Sequence, residues 1–147
     1  TEQVILELVD IFHFGLSLRI DGETSYEQLA AQLEAELSAP VQADDFKQTL
    51  ELLAASAVAE KSFNAAAFAG CMAQIGMDID DLYRGYVGKN TLNFFRQDHG
   101  YKDGSYIKVW NGQEDNEHLV EVVKSLDTDH ADFAKLVYQG LEQRYPK

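Results

Sequence analysis

Apolar and polar positions alternate along most of the chain with the period of an α-helix. The first such segment runs from near the N-terminus to about Leu18, and Asp21-Gly22 then marks a turn. Its apolar residues recur at spacings of three and four, which places them on one face: Val4, Ile5, Leu8, Ile11, Phe12 and Leu16. The pattern therefore predicts an amphipathic first helix.

Six further segments carry helical spacing or a helix-start signal. Ser25 followed by Gln28 has the form of a capping box, which opens a helix that ends before Pro40. Asp78 is expected to cap a long helix reaching about Gln97, whose core-facing residues are Leu82, Tyr83, Tyr86, Leu92 and Phe95. The other helices are predicted from near Asp44-Asp45 through Ala57, over Phe63 to Ile75, over Glu117 to Leu126 and, with Asp129 as its cap, over His130 to Tyr145.

Signals for β-structure are sparse. Only the residues SYIKVW at positions 105–110 alternate in the manner of a strand, and they have no obvious partner. We therefore predict an all-α protein, a helical bundle of six or seven helices. At 147 residues and 46% hydrophobic composition, residues 1–147 are expected to form a single domain around one core.

The composition excludes several functional classes. A net charge of -13 argues against binding to nucleic acid, whose phosphates demand a wide basic face. No apolar run approaches the length of a membrane span and no signal peptide is evident, so we expect a cytoplasmic protein without a membrane partner. Cys71 is the only cysteine, and we interpret it as a buried, inert thiol.

Against this acidic background, positive charge is concentrated between residues 84 and 108. Five basic residues lie there against two acidic ones. Lys89, Asn93 and Arg96 stand at i, i+4 and i+7, which places two cations and an amide on one helix face. Such a face can bind an anion, because arginine presents a planar fork to two phosphate oxygens; an ordinary solvated helix face is the alternative.

The loop that follows this helix favours the anion-binding interpretation. Gly100 and Gly104 allow tight turns, and Lys102 and Lys108 add two cations. The aromatic residues of the loop either pack beneath it as anchors or stack on a base or sugar: Tyr101, Tyr106 and Trp110.

The first predicted helix carries a second candidate site. Glu7 and Asp10 stand at i, i+3, so both carboxylates project from one side, and His13 continues that side. Two carboxylates one turn apart can share Mg²⁺, which prefers oxygen ligands, although such pairs are also common on solvated helices. Because apolar residues flank the pair, we expect the helix to be largely buried. We interpret His13 as a hydrogen-bonded helper or core histidine.

Glu114, Asp115 and Asn116 precede the helix that contains HLVEVV. One of them is expected to cap that helix. Since three residues cannot all be the cap, another can reach toward a ligand or metal. The sequence leaves this choice open.

Two of these stretches resemble the dimeric, all-α dUTPases, within the wider MazG-like nucleoside triphosphate pyrophosphohydrolases. They are ELVDIFHF at 7–14 and YVGKNTLNFFRQDHGYKDGSYIKVWNGQEDN at 86–116. The resemblance implies Mg²⁺-dependent hydrolysis of dUTP, and of dUDP, to dUMP by a metal-activated water, in a homodimer. It further implies that Glu7 and Asp10 are catalytic metal ligands and that the substrate-binding residues are Lys89, Asn93, Arg96, Tyr101, Lys102, Lys108 and Asn116.

One feature of that family is missing here. Its metal site combines an upstream E-x-x-E with the E-x-x-D found at Glu7 and Asp10, and its uracil-recognising segment also lies upstream. We therefore expect this chain to be a C-terminal portion of the enzyme, completed by a separate N-terminal segment or by another chain. The alternatives are a pyrophosphohydrolase of another nucleotide, such as dCTP, and a non-catalytic helical dimerisation module with the same fold.

Overall fold

The structure is a computed structural model that describes residues 2–41 and 43–146. In these residues it contains seven α-helices and one short hairpin. The elements are α1 (Glu2–Arg19), α2 (Tyr26–Leu37), α3 (Phe46–Glu60), α4 (Ala65–Ile75), α5 (Ile79–Asp98), β1 (Val109–Trp110), β2 (Gln113–Glu114), α6 (Asp115–Lys124) and α7 (Phe133–Arg144). The prediction of an all-α protein with six or seven helices is confirmed.

The start signals predicted for α2 and α5 act as expected. The Ser25 hydroxyl accepts a hydrogen bond from the Gln28 N–H at 3.3 Å, and the Gln28 side chain accepts one from the Ser25 N–H at 3.4 Å. Asp78 accepts a hydrogen bond from the Asp81 N–H at 2.8 Å, which supports the start of α5. These side chains satisfy N–H groups that have no partner within the first turn of a helix.

The last two helices begin at other positions than predicted. Helix α6 starts at Asp115, ahead of the predicted Glu117. The prediction that Asp129 caps α7 is wrong: Asp132 occupies the N-cap position and α7 begins at Phe133. The reason is a turn, in which the Phe133 N–H donates to the His130 carbonyl at 2.9 Å and delays the helix.

The alternating segment 105–110 has a partner that the sequence interpretation missed. Val109 pairs with Glu114 and Trp110 with Gln113 in an antiparallel hairpin. Asn111 and Gly112, which connect the strands, both have positive φ, at 51° and 86°. Asn-Gly is the preferred pair for such a two-residue turn, so this signal was present in the sequence.

The chain divides into two compact units, Thr1–Leu82 and Tyr83–Lys147. In the N-terminal unit, α4 packs against α2 and α3. The rings of Phe12, Phe63 and Phe68 contact one another, with centroids 5.3–5.9 Å apart. Cys71 is buried, as predicted, and burial raises the pKa of its thiol, which keeps it in the unreactive form.

The C-terminal unit has its own core. Residues from α5, β1, α6 and α7 form it: Leu92, Phe95, Trp110, Leu119, Val122, Val123, Phe133, Val137 and Leu141. Leu92 and Phe95 in this core, and Leu82 at the end of the N-terminal unit, are buried as predicted. Tyr83 is exposed, so its assignment to the core is wrong.

No helix within the described ranges combines the length and the apolarity needed to cross a lipid bilayer.

Candidate functional site

Helix α5 presents the predicted cationic face in the C-terminal unit. The Arg96 Nη1 donates to the Asn93 Oδ1 at 3.3 Å, so these two side chains share a face as their spacing requires. Lys89 lies one turn before Asn93 and is 6% exposed, and its Nζ donates to the Asn116 Oδ1 at 3.4 Å. Hydrogen bonds therefore link four of the predicted binding residues in two pairs, one within α5 and one between α5 and α6.

The strongest contact of Arg96 is with a carboxylate at the start of α6. Its Nε lies 2.8 Å from the Asp115 Oδ2, and its Nη2 lies 2.9 Å from the Asp115 Oδ1. Asp115 is 0% exposed, and its Oδ2 also accepts a hydrogen bond from the Tyr106 hydroxyl at 2.9 Å. This bidentate geometry is the strong form of a charge-assisted hydrogen bond, and it satisfies both oxygens of the buried carboxylate.

The surroundings keep Asp115 ionised. Burial acts to raise the pKa of Asp115, but the hydrogen bonds and charge of Arg96, helped by the Tyr106 hydroxyl, outweigh it and hold the pKa below the ordinary 3.8. Burial, followed by the neighbouring Asp115 carboxylate, raises the pKa of Tyr106 far above its usual value. The Tyr106 hydroxyl therefore stays protonated and remains a hydrogen-bond donor to Asp115 at physiological pH.

Acidification is expected to remove the stability that Asp115 contributes. Because the folded pKa lies below the unfolded one, this contribution is fully present above the ordinary value of 3.8 and disappears as pH falls through the folded value. Urea unfolding at a series of pH values should show Asp115→Asn less stable than wild type near neutrality, with a difference that shrinks toward pH 3. A difference that stays constant with pH would contradict an ionised Asp115.

The loop after α5 turns tightly, as its glycines predict. Gly100 has φ of 87°, and a Cβ built there would lie 1.9 Å from the Ser105 Oγ, so no other residue fits without a shift. The aromatic ring of Tyr106 stacks on Tyr145 of the C-terminal segment at 5.6 Å, and the Tyr145 hydroxyl accepts a hydrogen bond from the Ile107 N–H at 3.0 Å. Tyr106 and the buried Trp110 are thus anchors of the loop.

The remaining predicted residues of the loop differ in their settings. Tyr101 is 57% exposed, and the Arg96 Cζ lies 5.9 Å from the centre of its ring. The Lys108 Nζ lies 3.3 Å from Glu114, in a pair with both side chains about half exposed. Lys102 is exposed, and within the described parts of the chain no hydrogen bond or ion pair joins it to this group. The structure thus brings Tyr101 to Arg96 but leaves Lys102 and Lys108 apart.

Asp115 is the residue that sequence reasoning left unassigned. Glu114 and Glu117 form the cap of α6, since the Glu117 carboxylate accepts from the Glu114 N–H at 2.7 Å. Asp115 instead turns toward Arg96, 19 residues earlier in the chain. An acidic residue at a helix start is commonly explained by the helix dipole, so no local signal could have identified this partner.

In the N-terminal unit, α1 carries Glu7 and Asp10. Glu7 is exposed and accepts a hydrogen bond from the Gln3 side chain at 2.7 Å, while Asp10 is half-buried. The expectation that α1 is largely buried is wrong, because Phe14 and Leu18 are also mainly exposed, Phe14 at 75%. His13 donates from Nδ1 to the Val9 carbonyl at 3.0 Å, as expected for a hydrogen-bonded helper.

The donor set on α1 fits Mg²⁺ only in part. Two carboxylates at i, i+3 supply oxygen ligands of the type that Mg²⁺ prefers, and the ion retains several waters. Among the described residues, no group of three or more histidine, cysteine, aspartate or glutamate side chains is placed to hold a metal ion. Glu7 and Asp10 can therefore contribute two ligands, with the other positions left to water and phosphate oxygens.

Comparison with known proteins gives one family. A family model described as dUTPase matches residues 1–101, which is more than half of the chain. No curated protein matches the sequence. The matched range includes α1 to α5 with Glu7, Asp10 and Arg96, whereas Tyr106, Asp115 and Asn116 lie beyond it.

Proposed function

We propose that this chain, which belongs to the dUTPase family, hydrolyses dUTP to dUMP and pyrophosphate in a Mg²⁺-dependent reaction, and also hydrolyses dUDP to dUMP and phosphate. The observation that supports a polyphosphate substrate most directly is the Arg96 group of the C-terminal unit. There a buried carboxylate holds the guanidinium, with Asn93 and the Tyr101 ring beside it. We also propose that the enzyme is a homodimer, as the resemblance implies.

Arg96 retains donors for phosphate oxygens. A guanidinium has five N–H groups, and the contacts with Asp115 and Asn93 use three of them, which leaves two on the Nη1 and Nη2 atoms. The side chain is 16% exposed, so one edge of it reaches the surface. Donors fixed in advance stabilise the charge that develops on a pyrophosphate leaving group.

The lysines of the loop have flexible side chains whose positive charge can contact the phosphates of the substrate. The side chains of Lys108 and Glu114 are both about half exposed, and exposed ion pairs contribute little to stability. Lys108 can therefore leave Glu114 and bind a phosphate with little loss of folding free energy. Exposed Lys102 adds a second flexible cation. Tyr101, Asn93 and Asn116 are proposed to contact the phosphate and nucleoside parts of the substrate.

Glu7 and Asp10 are proposed as the carboxylates that hold Mg²⁺. When bound, the ion neutralises charge on the phosphate oxygens and acidifies water. The side chains themselves contribute two carboxylate groups from one side of α1. The exposure of Glu7 leaves its carboxylate accessible to an arriving ion.

Pyrophosphate release from dUTP tests the proposal. The full-length protein is assayed for pyrophosphate release from dUTP, dCTP and dTTP and for phosphate release from dUDP, each with Mg²⁺ and with EDTA. It is expected to act on the deoxyuridine nucleotides and to stop when Mg²⁺ is removed. Preference for dCTP would support the alternative that the protein is a pyrophosphohydrolase specific for another nucleotide. Absence of turnover with every nucleotide would favour the non-catalytic module.

A further inference from the structure

Asp115 is buried where it cannot touch a ligand, yet three hydrogen-bond donors converge on it. They are the Arg96 Nε and Nη2 and the Tyr106 hydroxyl, all within 2.9 Å. A charge this deeply buried is costly to desolvate, and ion pairs in such positions are often no better for stability than apolar residues of similar size. A contribution to stability is therefore a weak explanation for this carboxylate.

The pair instead determines the orientation of the guanidinium. Two parallel N–H···O bonds fix both the plane of the group and its rotation, which a single bond cannot do. The Tyr101 ring and the Asn93 amide oxygen add two more contacts on Arg96. Because Arg96 is ordered before a ligand arrives, it loses less side-chain entropy when it binds an anion.

The carboxylate is itself held by a chain of contacts from the C-terminal end. Tyr106 donates to Asp115, its ring stacks on Tyr145, and the Tyr145 hydroxyl binds the Ile107 N–H next to Tyr106. Residues remote from the substrate can in this way control the placement of a group that contacts it.

We infer that Asp115 and Tyr106 are positioning residues, which act through Arg96 to orient its two remaining N–H donors toward a polyphosphate. The inference rests on the proposed function for its substrate. It does not depend on direct contact of Asp115 or Tyr106 with the nucleotide.

A double-mutant cycle on dUTP hydrolysis by the full-length protein tests this. Asp115→Asn keeps the shape of the side chain but replaces one acceptor with a donor, and kcat is expected to fall about 10- to 100-fold, as for other outer partners of functional groups. KM should rise as well, because the oriented N–H donors of Arg96 also bind the polyphosphate in the ground state. In an Arg96→Ala background, Asp115→Asn should cause no further loss of kcat, because the residue through which it acts is gone.

Two Tyr→Phe variants separate positioning from folding. Tyr106→Phe keeps the stacked ring and removes one hydrogen bond to Asp115, while both bonds from Arg96 to Asp115 remain. A smaller loss of kcat than for Asp115→Asn is therefore expected, with a modest loss of stability. Tyr138→Phe is the matched control, because it removes a hydroxyl bonded to Asp98 at 2.9 Å within the same unit. It should leave kcat and KM unchanged. The inference would be overturned if the losses of kcat for Asp115→Asn and Arg96→Ala multiply in the double variant. It would also be overturned if Tyr106→Phe had the same kcat and KM as wild type.

A second measurement distinguishes failure of the inference from failure of the proposed function. If the full-length protein hydrolyses none of the nucleotides, the proposed function falls. The wild type, Asp115→Asn, Arg96→Ala and the double variant are then compared by calorimetry for binding of inorganic tripolyphosphate in the presence of Mg²⁺. Weaker binding by Asp115→Asn in the wild-type background, but not in the Arg96→Ala background, supports positioning; equal binding overturns it.

Discussion

Replacement of Arg96 with alanine is expected to reduce both the stability of the C-terminal unit and the turnover of dUTP. The stability loss arises because Asp115, at 0% exposure, keeps its charge with the Tyr106 hydroxyl as its remaining side-chain donor. Removal of one partner of a buried pair costs roughly 3 kcal/mol or more, far above the median for surface pairs. Loss of one fixed phosphate donor should lower kcat by about 10²–10³-fold. Urea unfolding and pyrophosphate release measure the two effects separately.

Arg144→Ala provides a matched control for the Arg96 prediction. Arg144 also forms an ion pair with a carboxylate of the C-terminal unit, Glu121, but that pair is exposed. Its removal should cost less than about 1 kcal/mol and leave kcat unchanged. If Arg96→Ala and Arg144→Ala were equally stable, the bidentate pair with Asp115 would not be important for folding. If Arg96→Ala kept wild-type kcat and KM, Arg96 would not bind the phosphates.

Neutralisation of the carboxylates of α1 is the second change with a large expected effect. Glu7→Gln and Asp10→Asn preserve size but remove the negative charge that attracts a divalent cation. Each should lower kcat by about 10²-fold or more, equivalent to ~3 kcal/mol of lost electrostatic stabilisation, and raise the Mg²⁺ concentration needed for half-maximal activity. Folding of Glu7→Gln should be little affected, because Glu7 is exposed and its hydrogen bond is to the side chain of Gln3 on the same helix.

The control for the α1 carboxylates comes from α2. Glu34→Gln removes an exposed carboxylate of the same unit that stands outside the E-x-x-D pair, so its Mg²⁺ titration should match that of wild type. Pyrophosphate release as a function of Mg²⁺ concentration is the measurement. Glu7 and Asp10 would be excluded as metal ligands if both variants kept the wild-type kcat at saturating Mg²⁺ and needed no more Mg²⁺ than wild type for half-maximal activity.

Much of the fold could be predicted because its signals are local. The Ser25 capping box, the Asp78 cap and the glycine that ends α4 each depend on residues within one turn of one another. The start of α7 could not be predicted in the same way. Asp129 and Asp132 are equally suitable caps by residue type, and the turn at His130 decides between them.

The candidate site was predictable to the extent that it follows helix geometry. The spacing of Lys89, Asn93 and Arg96 is sufficient to place them on one face, and the structure adds the contact between Asn93 and Arg96. Burial was harder to predict, because the amphipathic pattern of α1 does not reveal how much of each face is covered. Exposed Glu7 and Phe14 show this limit.

The sequence by itself determined the helices, the cationic face of α5 and the carboxylate pair of α1, because each of these depends on residues one or two turns apart. Only the tertiary structure decided that Asp115 forms hydrogen bonds with Arg96 and that the ring of Tyr145 packs on Tyr106 in the loop. Those contacts join residues 19 and 39 positions apart, and their formation depends on how α5, α6 and α7 pack around a shared core. Local spacing carries no information about such distant pairs, since burial and chain reversal create them.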